Sequence, residues 1–411
     1  MNISSLNTVT GYKPVDIVPA HGRIGTWVGR VWVPAPFAAN GIAGPHVVTL
    51  RDGRIHGTGY ATMSDLINDP DSWHRVSDGD PREDLGALET ILDDSLFPKR
   101  ASRAADEGRV VLLAPNDLLA TKACGVTFVR SLLERVIEEK AAGDPFKAGE
   151  IRSLILETLG DDLSRVVPGS PETEMLKRKF VAAGVWSQYL EVGIGKDAEI
   201  FTKAQPMASV GFGAQIGVLP ESQWNNPEPE VVLAVSRSGQ IRGAALGNDV
   251  NLRDYEGRSA LLLGEAKDQN GSCAIGPFIR LFDHTFQLED IIKLEIELSI
   301  TGADGFHISG HNRMSEISRP PQDLVAQACG VHHQYPDGFM LFLGTMFAPT
   351  EDRGTTGHGF THYLGDRVEI AAPTLGRLVN WVNHTHCIPP WDYGIGELIR
   401  YLTESKSQSI P

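Results

Sequence analysis

Residues 224–235 read Trp-Asn-Asn-Pro-Glu-Pro-Glu-Val-Val-Leu-Ala-Val, and this stretch decides the fold and points to the chemistry. Glu228 and Glu230 are two residues apart and lead straight into the apolar run VVLAV. In an extended chain, residues i and i+2 face the same way, so the two carboxylates share one face of a strand. Side by side they repel unless something positive lies between them. A hard divalent cation meets that need and prefers carboxylate oxygens. Two solvated glutamates at a strand start would read the same way, so the pair alone does not decide.

Working outward, 231–236 and 241–246 are apolar runs separated by 237–240, which contains Gly239, and they read as a hairpin. The second run ends in Gly247-Asn248-Asp249-Val250. If the two runs pair, Asp249 falls beside the Glu228/Glu230 end. Three carboxylates and no imidazole suit Mg²⁺ or Mn²⁺ better than Zn²⁺. Lys267 follows in Glu265-Ala266-Lys267-Asp268-Gln269. Near a metal, a buried lysine can have its pKa lowered and act as a base or polarise an oxygen.

Farther out the chain is β-rich on both sides of a helical block. Thr26–Val33 alternates like a strand, and 47–57 reads as a hairpin turning at Asp52-Gly53. A helix is expected near 85–96 and a strand at 109–113. The segment 128–142 has apolar Leu132, Leu133, Val136 and Ile137 at helical spacing, and helix continues with breaks through 143–185. The run 292–300 alternates strictly, so one face should be wet. Residues 366–370 read as a short strand, and 405–411 as a disordered tail. These patterns divide the chain into an N-terminal β-rich part (1–110), a helix with a helical insertion (111–198), a β-rich core that carries the three carboxylates (199–400) and a tail (401–411).

Composition is that of a globular protein, 41% hydrophobic and 22% charged. The formal charge of −15 repels phosphates, which argues against nucleic acid as a partner. An anionic substrate therefore needs a local positive charge. The four cysteines, Cys124, Cys273, Cys329 and Cys387, are far apart and show no zinc spacing, so they read as reduced, mostly buried thiols. No apolar run is long enough to span a bilayer and the N-terminus does not read as a signal peptide, which makes the cytoplasm the expectation. Neither His332-His333 nor His384-Thr385-His386 joins a recognisable ligand motif, and both pairs read as ordinary core or surface residues. The Gly-rich 354–359 lacks a P-loop ending and reads as a mobile loop near the site. Glu138 and Glu139 read as a solvated helix face.

In order along the chain, these segments resemble the fumarylacetoacetate hydrolase family. Pro227-Glu228-Pro229-Glu230 is similar to the family's paired glutamate ligands, and 247–254 (GNDVNLRD) to its aspartate-ligand motif. Lys267 through Gly276-Pro277 resembles the motif that opens with the active-site lysine. Phe201-Thr202-Lys203 with Ser209, Gly344-Thr345, Gly365-Asp366 and Leu375-Gly376 complete the set, which covers about residues 110–385. The resemblance implies an α+β, β-rich fold with a mixed β-roll or sandwich-like core. It also implies a Mg²⁺ (or Mn²⁺) site at Glu228, Glu230 and Asp249, a homodimer or higher homo-oligomer, and a small 2-oxo acid as substrate.

Members of this family catalyse several reactions. Where hydrolytic members carry a lid His followed by a Glu three residues later, this chain has Ser131 and Glu134. A serine cannot replace the imidazole that activates water. The lid, 344–349 (GTMFAP) and 186–191 (WSQYLE) instead resemble the branch that dehydrates 2-keto-3-deoxy-pentonates. The implied reaction is dehydration of a 2-keto-3-deoxy-D-pentonate (arabinonate or xylonate) to 2,5-dioxopentanoate through a metal-stabilised enolate. Lys267 and Glu134 would share the roles of base and acid, in either order. Arg130, Ser131, Lys203, Ser272 and Thr345 are the expected substrate contacts. Two rivals keep the scaffold: a C–C hydrolase of a 2,4-dioxo acid, and an inactive binding protein.

Overall fold

The computed structural model describes residues 12–80, 82–97, 108–148, 167–182, 184, 186–354 and 359–408. The expected hairpin is at its centre. Pro229–Val235 and Ile241–Asp249 pair antiparallel, with Pro229 opposite Asn248 and Glu230 opposite Gly247. The Asp249 amide donates to the Glu228 carbonyl at 3.0 Å, so the three carboxylates meet at one end of the hairpin.

An eleven-stranded sheet grows from this hairpin. Its order is Asp84–Ala87, Arg54–Gly57, Gly44–Arg51, Thr26–Val33, Cys273–Leu281, Ile241–Asp249, Pro229–Val235, Phe339–Phe342, Ala120–Cys124 and Ile200–Ala204, with Val111–Leu113 added beside Thr26–Val33. Strands from the first 110 residues thus share one sheet with strands beyond residue 199. A second sheet has five strands, His307–Arg313, Glu295–Thr301, Arg367–Ala372, Gly376–His384 and Gln215–Val218. The architecture is mixed α and β, β-rich, with two main sheets.

Every residue of Pro229–Val235 is buried because both faces of the strand are covered. Val231, Leu233 and Val235 join Ile296, Leu298, Ile370 and Leu378 of the five-stranded sheet. Val232 and Ala234 face the other way, into a cluster with Ile275, Phe342 and the helical residues Leu66 and Ile67. Each such aliphatic side chain contributes roughly 1.5–3 kcal/mol on full burial. Glu295–Thr301, at the molecule's surface, keeps the alternation read from its sequence, with Glu295 and Glu297 exposed and Ile296, Leu298 and Ile300 buried.

The Asp52-Gly53 turn has φ of 48° and 74°, the left-handed pair that a tight hairpin requires. The helix of the 85–96 segment spans Leu88–Ser95, preceded by a short strand, and the 109–113 strand spans Val111–Leu113. The amphipathic helix is Val129–Lys140. Its four apolar positions pack with Phe180, Tyr189, Leu190, Ile194 and Trp224. Part of the helical continuation, 149–166, lies outside the described residues, as does most of the 354–359 loop.

The 405–411 segment is corrected in part: helix Ile395–Gln408 runs through its first four residues. Asn40 donates to Ser405 Oγ at 3.0 Å, and Gly44 lies against the Tyr401 ring, so tertiary contact orders what composition leaves undecided. All four cysteines are free, but Cys387 is exposed and Cys329 half-buried, so only Cys124 and Cys273 match the buried reading. Among the described residues, no helix is long and apolar enough to cross a membrane.

Candidate metal centre and active site

Glu228, Glu230 and Asp249 each offer an oxygen within 4.8 Å of the others. All three side chains are buried. Backbone geometry fixes them. Glu228 and Glu230 share a face through the i, i+2 relation, and the antiparallel register brings Asp249 opposite Glu228. Glu230 is held from the other side, where the Gly344 amide donates to Oε2 at 2.7 Å and Thr345 Oγ1 to Oε1 at 3.3 Å. Gly344 has φ of +99°, and a Cβ there would sit 2.1 Å from Thr127 Oγ1. Only glycine fits that approach.

Two cations lean on Glu228. Lys267 Nζ donates to Glu228 Oε2 at 2.6 Å and to Asp249 Oδ2 at 3.0 Å. Arg135 Nη2 donates to Glu228 Oε1. Burial acts to raise the Glu228 carboxyl, but Arg135 and Lys267 outweigh it and hold the group down at about 2. Glu230 is the reverse case: burial, with Asp249 and Glu228 nearby, pushes its carboxyl well above the ordinary range. The triad therefore compensates Glu230 least of its three carboxyls. Its donors are all hard oxygens, so the residues present fit Mg²⁺ or Mn²⁺.

The carboxylate neighbours act on Lys267 in the sense opposite to a cation's. Burial works against its charge, yet Asp249, Glu228 and Glu256 hold its pKa well above the ordinary lysine value. Lys203 is fully buried behind the triad, with Nζ 3.0 Å from Asp249 Oδ1 and a hydrogen bond to the Lys267 carbonyl. Ser272 Oγ donates to the same carbonyl at 2.7 Å. Lys203 and Ser272, both read as substrate contacts, thus brace the Lys267 backbone. Thr345 lines the pocket at the triad, together with Arg135, Glu199, Glu256 and Lys267.

Glu134 and Ser131 sit on the Val129–Lys140 helix. Ser131 is buried, and Glu134 is half-buried, its Oε2 accepting from Arg253 Nη2 at 3.1 Å. The next residue, Arg135, is the one that touches Glu228. The Arg130 side chain lies outside the described residues.

Four important groups were not found from sequence. Arg135 joins Glu228, Glu138 (2.5 Å) and Glu256 (3.2 Å). Arg253 joins Glu138 at 2.6 Å and stacks on Trp224, 4.4 Å from the ring centroid. Glu138 is buried between these two arginines, which corrects its reading as a solvated face. Glu256 is buried, and that burial raises its carboxyl to about 7 against the opposing charge of Arg135. One available signal was the helical spacing of Arg135 and Glu138 on the face opposite the apolar stripe.

No protein-family model matches the chain. It is 32% identical over 181 residues to the 2-dehydro-3-deoxy-D-arabinonate dehydratase of Saccharolobus solfataricus, a stretch that is 44% of this chain and 57% of that protein. It is 32% identical over 194 residues to a Haloferax volcanii protein named "Probable 2-keto-3-deoxyxylonate dehydratase", 47% of this chain and 63% of that protein. The match thus spans about three fifths of each relative's length. Among solved structures, the apo form of 2-keto-3-deoxy-D-arabinonate dehydratase superposes with a TM-score of 0.57 at 19% identity, over 87% of this chain and 99% of that one. The form complexed with magnesium and 2,5-dioxopentanoate gives 0.56 at 20%, over 87% and 99%. The chain therefore shares the fold of 2-keto-3-deoxy-D-arabinonate dehydratase, the branch that its ordered motifs resemble.

Proposed function

We propose that the chain is a hydro-lyase that removes water from a 2-keto-3-deoxy-D-pentonate, of the D-arabinonate or D-xylonate series, to give 2,5-dioxopentanoate. The observation that carries this reading is the buried Glu228/Glu230/Asp249 triad with Lys267 at its edge. The two dehydratases at 32% identity support the choice of reaction within that chemistry.

Glu228, Glu230 and Asp249 would hold the divalent cation. When bound, such an ion supplies Lewis acidity toward the carboxylate and keto oxygens of a 2-oxo acid. The remaining work falls to the chain. Removal of a C3 proton needs a base, and departure of the C4 hydroxyl needs a proton. Lys267, kept charged by its carboxylate neighbours, acts as the donor. Glu134, oriented by Arg253, takes the proton from C3, and proton shifts in the resulting C3–C4 enone move its double bond to a C4–C5 enol, which tautomerises to the C5 aldehyde of 2,5-dioxopentanoate. Lys203 and Ser272 hold Lys267 in place through its carbonyl. The Val129–Lys140 helix, packed over the triad, excludes water from the pocket.

The test is a product assay. Purified protein with Mg²⁺ is incubated with 2-keto-3-deoxy-D-xylonate or 2-keto-3-deoxy-D-arabinonate, and 2,5-dioxopentanoate is followed by mass spectrometry with an EDTA control. EDTA-sensitive loss of one water is the expected result. Cleavage of 2,4-dioxo acids without turnover of either pentonate would move the assignment to the hydrolase.

A further inference from the structure

A second cluster of metal-ligating side chains stands apart from the triad. The strand Gly376–His384 ends in a turn, and there His384, His386 and Cys387 each offer a ligand atom within 4.8 Å of the others. In sequence the cluster is the run His384-Thr385-His386-Cys387. The fold brings the three ligand atoms together, because the turn after His384 carries Cys387 back over the strand end, its amide donating to the His384 carbonyl at 2.8 Å.

The turn is braced. The Thr385 amide donates to Val218 O at 3.0 Å, and the Ile388 amide to His384 O at 3.2 Å. Asn270 Nδ2 bridges Thr385 O at 3.1 Å and Pro389 O at 3.3 Å. The two imidazole rings lie 5.5 Å apart, inclined by 30°. His384 is half-buried, while His386 and Cys387 are exposed, so the site is open to solvent and to an entering ion.

We infer that His384, His386 and Cys387 form a binding site for a borderline-soft divalent cation of the Zn²⁺ class. Two imidazole nitrogens and one thiolate are donors that such ions prefer and that Mg²⁺ does not. Zinc bonds of about 2.0–2.3 Å put tetrahedral donors roughly 3.3–3.8 Å apart, a closure that rotation of the two exposed side chains supplies. Glu221 lies close enough for its charge to act on His384, which adds a favourable field for a cation. The ion joins the strand end to the turn. Through Asn270 it also bears on the loop between Lys267 and Ser272.

The test is Co²⁺ titration of the reduced full-length protein with excess Mg²⁺ present, followed by absorbance. Cobalt reports a thiolate ligand through a sulfur-to-metal charge-transfer band, which oxygen donors of the acidic triad cannot produce. The expected result is a saturable band that Zn²⁺ displaces and that Cys387→Ser removes while circular dichroism stays unchanged. His384→Ala and His386→Ala should each raise the half-saturating Co²⁺ concentration by about tenfold or more, since even outer-shell partners of metal ligands matter that much. Absence of the band in the wild-type protein, or its survival in Cys387→Ser, would overturn the site.

Discussion

Glu228 and Glu230 are the same residue type, two positions apart, with both side chains fully buried, yet their surroundings set them in opposite states. Glu228 faces Arg135 and Lys267 and is held ionised, whereas Glu230 meets mostly like charge and is pushed up. Removing each charge should therefore act with opposite sign in protein treated with EDTA. Glu228→Gln should lose about 3 kcal/mol in urea unfolding, since it leaves buried cations short of a partner. Glu230→Gln should be neutral or stabilising in the same assay. With Mg²⁺ present, both should lose the ligand-induced stabilisation. Lys267→Met and Glu134→Gln should each lower turnover about 10²-fold or more while Mg²⁺ binding survives, the range for loss of a proton-transfer group. Full activity in both, with metal bound, would remove them from the mechanism.

At the scale of elements, the Val129–Lys140 helix shows how a pattern can be read rightly and still mislead. Its apolar stripe was legible, and it packs as expected. The opposite face, which carries Arg135 and Glu138, was read at Glu138 as meeting water because a polar face of an amphipathic helix usually does. Here it turns inward, onto Glu228, Glu256 and Arg253. Arg135→Met should cost about 3–5 kcal/mol, because it removes the cation paired with buried Glu256 and one of the two beside each of Glu228 and Glu138. Equilibrium unfolding checks this, and a loss below 1 kcal/mol would mean that the network contributes little.

A second ionic clamp lies away from the triad. Arg353 pairs with Asp366 and, at 3.0 Å, with Asp304, while the Asp366 carboxylate also accepts from the Tyr363 amide at 3.0 Å and lies 3.1 Å from His362 Nδ1. Burial acts to raise Asp366, but the hydrogen bonds from His362 and Arg353 outweigh it, so its folded carboxyl lies below the ordinary value. The unfolded chain then binds that proton more readily. The clamp's contribution is complete above about pH 4 and is lost as pH falls through the folded value. Asp366→Asn should lose about 3 kcal/mol at pH 7 and show a smaller further loss on acidification than the wild type. Parallel acid-unfolding curves for the two proteins would rule the clamp out as a pH-dependent element.

At the scale of the whole molecule, the triad should couple metal to stability. An ion that binds the folded chain alone adds about 2.7 kcal/mol at one hundred times its Kd. Mg²⁺ should therefore raise the melting temperature in a concentration-dependent way, EDTA should reverse it, and Asp249→Asn should abolish it. A melting temperature indifferent to Mg²⁺ would speak against the oxygen site.

What the sequence determined by itself was local and periodic. The i, i+2 spacing placed Glu228 and Glu230 on one face, the apolar runs made the hairpin, and the hairpin carried Asp249 to them. The ordered motifs then pointed to the fold that the chain shares with 2-keto-3-deoxy-D-arabinonate dehydratase. Tertiary structure decided what depends on the partner across a gap in sequence. It turned the polar face of the Val129–Lys140 helix inward and ordered the C-terminal helix through Gln408 against Asn40. It also set Lys267 between two carboxylates, which fixes its charge state. The physical reason is the same in each case. Periodicity reports which faces a segment has, but burial and charge depend on what packs against each face, and that is settled only when the strands close into their sheets.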